Sequence, residues 1–259
     1  MIINTLLMYF YDCSFLQWTT RANPTGYVAC DVSLPSSNPH PDNWLISDQI
    51  PISLANRIDI TVDYFIRSCS AFPNSGGSYC DDVFDLYVNH SDQRIADKSQ
   101  YPDPLSKRMA YEKTAVIRQA TNKRFTETIN VLVKGKYVIL AFHNYGACST
   151  LFSVKVTYNV CPEETLVDTL MILPRTVAPA NDSKPIRVEG SCVKNTVRVP
   201  GSLVVYCQGN GDWSMSGLQG RCICKEDMQN VEGKCQGTPG LGVMHCTNKT
   251  EHMVRVTRL

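Results

Sequence analysis

Twelve cysteines and five histidines are the residues of this 259-residue chain with the most chemistry to offer. Thiols and imidazoles bind zinc or run redox chemistry when they sit in short pairs such as C-x-x-C or H-E-x-x-H. Neither pattern occurs, and the closest pair, Cys222-Ile-Cys224, is a poor zinc knuckle. The histidines (40, 90, 143, 245 and 252) share no ligand spacing and no nucleophile motif. No catalytic residue, metal or cofactor is expected. The remaining chemistry of so many cysteines is disulfide formation, which implies an oxidising, extracellular compartment. Three N-x-[ST] sequons, at Asn89, Asn181 and Asn248, agree with export. One cation stands out: Arg67 closes the run "YFIR" two residues before Cys69, and Cys69 and Cys80 bracket "SAFPNSGGSY".

A near-neutral charge of +1 and a pI near 7.5 supply no basic stripe for nucleic acid. No run of eighteen apolar residues is present, so no membrane span is expected. The N-terminus, "MIINTLLMYFYDC", has a short apolar run but neither a positive start nor a small-residue cleavage site. These residues fit a poor leader and the first strand of a domain equally.

The elements that must position these residues are strands. Ile58, Ile60, Val62 and Tyr64 alternate with polar neighbours, the period of a strand with one buried face. "SVKVTYNV" alternates likewise, and "VLVKGKYVILAF" reads as two strands around a Lys-Gly-Lys turn. Strands at this density predict an all-β sandwich over 1–160. Composition then shifts: "PRTVAPANDSKP" (174–185) reads as a loop or extended connector, and closely spaced cysteines staple the C-terminal part of the chain. Joining Cys69 to Cys80 closes a short ring worth about 3 kcal/mol in the chain-entropy model. Cys30 and Cys148 are the other cysteines well inside the sandwich, and their bridge is worth nominally about 5 kcal/mol.

Cys161, Cys192, Cys207 and Cys222, with Trp213 between the last two, look like a complement-control (sushi) module. That likeness implies Cys161–Cys207 and Cys192–Cys222, with Trp213 in the small core. Cys224–Cys235 would open an EGF-like loop, leaving Cys13 and Cys246 over. The motifs "YVACDV", "DNWLISDQI", "YFIRSCSAFP", "CDDVFDLYV", "VILAFHNYGACS", "VKVTYNVCPE", "VEGSCV", "NGDWS", "GRCICKEDM" and "EGKCQ" occur in this order over roughly residues 5–237. Together they resemble the start of the ectodomain of Eph receptors, the ephrin-binding receptor tyrosine kinases.

The resemblance implies a jelly-roll β-sandwich (1–160), a small disulfide-rich sushi-like module (161–223), and an EGF-like start with an irregular tail (224–259). It supports Cys30–Cys148 and Cys69–Cys80. It implies an ephrin-like partner whose protruding loop enters a hydrophobic channel. Arg67 would pair with an acidic ligand residue, Phe72 would give apolar contact, and Val32, Thr150 and Leu151 would line the channel near the long-range disulfide. Receptor clustering is compatible with it.

The sequence departs from the family at four places. The segment between Trp18 and Cys30 is short where the family has a strand bordering the channel. Ile46 replaces a common arginine, Thr238 stands where a cysteine would continue, and Cys13 has no counterpart. No kinase motif is present in this chain. Two alternatives stand beside the receptor reading: a kinase-less secreted decoy or adhesion protein, and a carbohydrate-binding jelly roll carrying a sushi module. Arg67 has a plainer reading too, as a sheet-edge residue paired with Asp81 or Asp82.

Overall fold

The computed structural model describes residues 10–11, 18–22, 25–30, 41–53, 55–72, 80–104, 110–118, 122–181 and 183–237. Among the described residues eleven strands build the first unit: β1 (Phe10–Tyr11), β2 (Thr19–Ala22), β3 (Thr25–Cys30), β4 (Asn43–Ser47), β5 (Ile50–Pro51), β6 (Arg57–Arg67), β7 (Phe84–Ser91), β8 (Glu112–Ile117), β9 (Arg124–Leu132), β10 (Tyr137–Asn144) and β11 (Cys148–Thr157). They form two antiparallel sheets, β1-β4-β10-β7-β8 with β5 on β10, and β2-β3-β11-β6-β9. The described residues contain no α-helix, so the all-β expectation holds.

The sandwich core follows from the period-2 pattern of β6. Ile58, Ile60, Val62, Tyr64 and Ile66 are fully buried and meet Phe84, Leu86, Val138, Leu140 and Phe142 from the other sheet. Trp18 and Tyr64 each set an edge against Phe84, at centroid distances of 6.3 and 5.7 Å. Such edge-to-face pairs add to the area they bury. β10 is buried on both sides. Its alternate residues Ile139 and Ala141 join Trp44, Ile46, Tyr87 and Tyr111 in a second apolar cluster on the outer face of that sheet. Ile46 is therefore an apolar residue in an apolar site.

The segment between Trp18 and Cys30, though short, still forms a hairpin. β2 pairs with β3, and β3 pairs with β11. Gly26 makes this fit, because a Cβ there would lie 2.9 Å from the Leu151 carbonyl oxygen.

His90, near the end of β7, provides a pH-dependent term. Burial pushes its pKa below the ordinary 6.5, with Lys134 acting in the same direction and Glu112, 3.7 Å away, opposing it. On acidification the unfolded chain takes up this proton before the folded one, so stability is lost as pH falls from about 6.5 toward the folded value. His90→Gln should flatten that part of the curve. Urea midpoints at about pH 7 and about pH 5.5 test this; an equal pH dependence in the variant would contradict it.

The second unit is built from short strands: β12 (Val160–Cys161), β13 (Glu164–Leu166), β14 (Met171–Leu173), β15 (Thr176–Val177), β16 (Ile186–Glu189), β17 (Ser191–Cys192), β18 (Thr196–Arg198), β19 (Val204–Cys207), β20 (Trp213–Ser214), β21 (Cys222–Cys224), β22 (Met228–Val231) and β23 (Lys234–Gly237). Disulfides Cys161–Cys207, Cys192–Cys222 and Cys224–Cys235 run through it. Trp213 is half-buried, packs against both small apolar clusters, and donates its Nε1–H to the Pro162 carbonyl at 2.8 Å.

The proline-rich stretch is not a free linker. Thr176–Val177 pairs with Val160–Cys161, and Val177 packs on the sandwich core. Asn159 donates to Gly209 O at 2.9 Å across the same seam. Gly211, at φ +90°, brings its backbone to Val160 O, where a Cβ would stand only 3.0 Å away. No helix among the described residues is long and apolar enough to cross a membrane.

Candidate functional site

The exposed face of the sheet β2-β3-β11-β6-β9 carries the candidate site. Cys30, Cys148 and Arg67 are Cα partners in one row across β3, β11 and β6. Directly opposed residues of antiparallel strands point to the same face, so the cation stands beside the Cys30–Cys148 disulfide. The next row on that face is Val28, Thr150 and Phe65.

Arg67 ends β6 and is exposed, because strand alternation puts it on the outer face while Ile66 turns inward. Its guanidinium lies over the Phe72 ring, 4.4 Å from the centroid. The turn carrying Phe72 is fixed from several sides. Cys69–Cys80 closes it covalently. Ser68 N–H donates to Asn122 Oδ1 at 3.0 Å, and Cys69 N–H donates to Asp82 Oδ1 at 2.6 Å. Phe72 N–H returns to Cys69 O at 3.0 Å, completing a short 3₁₀ turn capped by Ser68. The plainer reading of Arg67 does not hold: among the described residues no carboxylate pairs with it. Asp82 is occupied by the Cys69 amide, while Asp81 donates its own N–H to Gly146 O. Burial raises the Asp81 pKa, and the charges of Asp82 and Asp85 add to this. The Asp82 amide and Arg118 act in the opposite direction.

Of the residues expected to line a channel, Thr150 lies on this face and is nearly covered, at 7% exposure. Leu151 does not lie there. Strand alternation turns it inward, where it is 1% exposed in the sandwich core. That expectation is corrected, and Leu151 supports the face from beneath. Val32 lies outside the described residues, as do Cys13, Cys246 and Asn248. Asp42, just before β4, is well anchored. Asp42 Oδ1 accepts from Trp44 Nε1 at 2.8 Å and lies 2.6 Å from His143 Nε2, with His143 stacked on Trp44 at 4.1 Å.

Three further residues belong to the face and were not anticipated. Phe65 sits between Thr150 and Arg124 in register. Arg124 forks onto Asp63, with Nε donating to Oδ1 at 2.8 Å, and covers the Phe152 ring at 4.2 Å. Phe152 is the extra residue of a bulge in β11, between Leu151 and Ser153. Alternation from Arg67 points to Phe65, but no sequence signal gives the bulge that re-aims Phe152. The face thus offers two arginines over two aromatic rings. Arg124 is already neutralised, and Arg67 has no carboxylate partner among the described residues. Among the described residues, Cys69, Cys80 and Asp82 form a group with metal-like spacing, but both sulfurs are spent in the disulfide.

The sequons differ sharply. Asn89 is only 8% exposed and its Nδ2 donates to Ala110 O at 2.7 Å. A glycan there would have to break that bond and open the packed outer face, so the expectation at Asn89 is corrected. Asn181 is exposed, and its Oδ1 accepts from Ser183 Oγ at 2.6 Å and Ser183 N–H at 3.2 Å. Material passed through a secretory pathway should carry a glycan at Asn181 and none at Asn89. Peptide mapping after enzymatic deglycosylation checks both sites, and a modified Asn89 in folded protein would contradict the packing.

Comparison with known proteins matches two consecutive stretches of the chain. A family model described as "Ephrin receptor ligand binding domain" matches residues 12–161, and one described as "Ephrin cysteine rich domain" matches residues 164–224. Similar curated proteins include ephrin type-B receptor 2 of Gallus gallus, 30% identical over 231 residues (82% of this chain, 21% of that one). Ephrin type-A receptor 6 of Mus musculus is 32% identical over 216 residues, covering 81% of this chain and 20% of that one. Ephrin type-B receptor 1-A of Xenopus laevis is 30% identical over 215 residues, 77% of this chain and 20% of that one. The chain spans about a fifth of the length of these relatives.

Proposed function

We propose, from the premise that the chain belongs to the Eph receptor family, that its sandwich binds the acidic loop of an ephrin-type protein on the Arg67 face. The chain is an Eph-like extracellular region: both matched families are ectodomain families. We take its units as 1–160, 161–223 and 224–259. Recognition at the surface of a contacting cell is the process this region would serve.

The observation that carries the reading is the state of Arg67: exposed, without a carboxylate partner among the described residues, and held over Phe72 beside a disulfide-linked row. A fixed, unspent guanidinium invites a bidentate carboxylate. The Cys69–Cys80 staple removes ordering entropy that association would otherwise cost. Phe72 and Phe65 supply apolar surface that excludes water around the pair, and Thr150, nearly covered, stands beside Phe65 in the same row. Val32, which lies outside the described residues, is proposed as a further ligand contact on the family resemblance alone.

Titration of the folded chain against a panel of ephrin ectodomains tests the reading. Saturable binding to at least one member is expected; absence of binding across the panel, with native disulfides mapped, would overturn it.

A further inference from the structure

A second candidate site lies at the other end of the sandwich. β10 runs from Tyr137 to Asn144, and just beyond Asn144 the Gly146 carbonyl accepts the amide of Asp81, next to the stapled loop of the Arg67 site. Tyr137 is therefore at the far end. There a cleft of about 450 Å3 is lined by Asp48, Gln49, Arg94, Lys98, Tyr101 and Tyr137, among others. That volume is in the range of small-ligand sites.

The cleft is built in advance by Gln49. Its backbone N–H donates to the Tyr101 hydroxyl at 3.0 Å. Its side chain donates from Nε2 to Gln93 O at 2.9 Å and accepts from Ile95 N–H at 2.8 Å. One residue of the β4–β5 turn thus pins three points of the connection between β7 and β8. The short 3₁₀ turn Lys98–Gln100, capped by Asp97, continues that wall.

The lining also has unspent polar capacity. Lys98 pairs with Asp48 at 2.6 Å, so those charges cancel. Arg94 is exposed and pairs with no carboxylate among the described residues. The Tyr101 hydroxyl accepts the Gln49 amide but has no acceptor for its own proton among the described residues, and the Tyr137 hydroxyl has no partner there. Two half-buried aromatic rings, two hydroxyl donors and one uncompensated guanidinium meet in one preformed cleft.

The geometry points to a binding site for an acidic saccharide. The C–H face of a pyranose would lie on the tyrosine rings, its hydroxyls would take the tyrosine protons, and its carboxylate or sulfate would take Arg94. A neutral sugar leaves Arg94 unmatched, and an apolar ligand leaves both hydroxyls unmatched as well, which is costly once water is excluded. This site does not depend on ephrin binding, and no residue is shared between the two.

The test uses the full folded chain in saturation-transfer NMR and calorimetry. The probes are sialyllactose for a carboxylate, a heparin-derived tetrasaccharide for a sulfate, and lactose as the neutral control. At least one acidic probe should bind saturably, with lactose about tenfold weaker or more, the equivalent of one charge-assisted hydrogen bond. Arg94→Gln should weaken the acidic probe by about tenfold, Tyr137→Phe should weaken it less, and Arg67→Glu should leave it unchanged. The proposal is overturned if neither acidic probe binds, if lactose binds equally well, or if Arg94→Gln changes nothing in a variant whose melting curve is native.

Discussion

Arg67→Glu is expected to weaken binding of an ephrin-type ectodomain by at least tenfold, or about 1.4 kcal/mol. The size comes from the geometry. The guanidinium is held over Phe72 by a turn that a disulfide and three backbone hydrogen bonds fix in place. Reversing the charge replaces a charge-assisted pair with two opposed carboxylates on a partly desolvated surface, and like charges across an interface are strongly unfavourable. The fold should tolerate the change, since Arg67 is exposed and supports no ion pair among the described residues. Arg67→Lys should fall between wild type and Arg67→Glu: it keeps a charge and loses the planar fork. Unchanged affinity in a natively folded Arg67→Glu variant would remove this residue from the site.

The second large effect is on stability. Replacing Cys161 and Cys207 together with alanine should destabilise the cysteine-rich unit by about 4 kcal/mol in the chain-entropy model. The two residues are 46 apart in sequence and both are fully buried. The unit's apolar clusters are small, and bridged cysteines form part of both. A unit with so little apolar core depends on such staples. Hydrogen exchange should show lost protection at Met171 and Val205, while Ile60 and Leu140 in the sandwich stay protected. Equal protection at Val205 with and without the bridge would contradict this account.

The legible and illegible parts of the fold divide along physical lines. The alternation of Ile58 to Tyr64 was readable because one face of β6 is buried and the other is not. "VLVKGKYVILAF" is indeed two strands around Gly135, at φ +81°. The sequence did not reveal that they part company. β9 pairs with β6, whereas β10 crosses to the other sheet between β4 and β7. The clue was present in the unbroken apolar run Val138–Phe142, the mark of a strand covered on both faces.

At the candidate site, the binding roles of Arg67 and Phe72 were implied by the family resemblance alone, while their positions beside the stapled loop were legible in the sequence. Leu151 was not, because a motif match cannot tell which side of a strand a residue takes, and β11 turns it into the core. Asn89 failed for a related reason: a sequon is blind to the segment that packs over it. The distant cleft was invisible because its lining comes from three separated stretches, near 48, 94–101 and 137, joined by Gln49, by the Asp48–Lys98 pair and by the pairing of β5 with β10.

A charge-swap cycle tests the central claim most directly. Arg67→Glu would be paired with replacement of the acidic residue of the bound ephrin loop by lysine, and all four affinities measured. The account predicts that each single change weakens binding at least tenfold and that the double change recovers much of the loss, a coupling of about 1.4 kcal/mol or more. Strictly additive losses, with no recovery for any acidic residue of that loop, would show that the ligand does not meet Arg67.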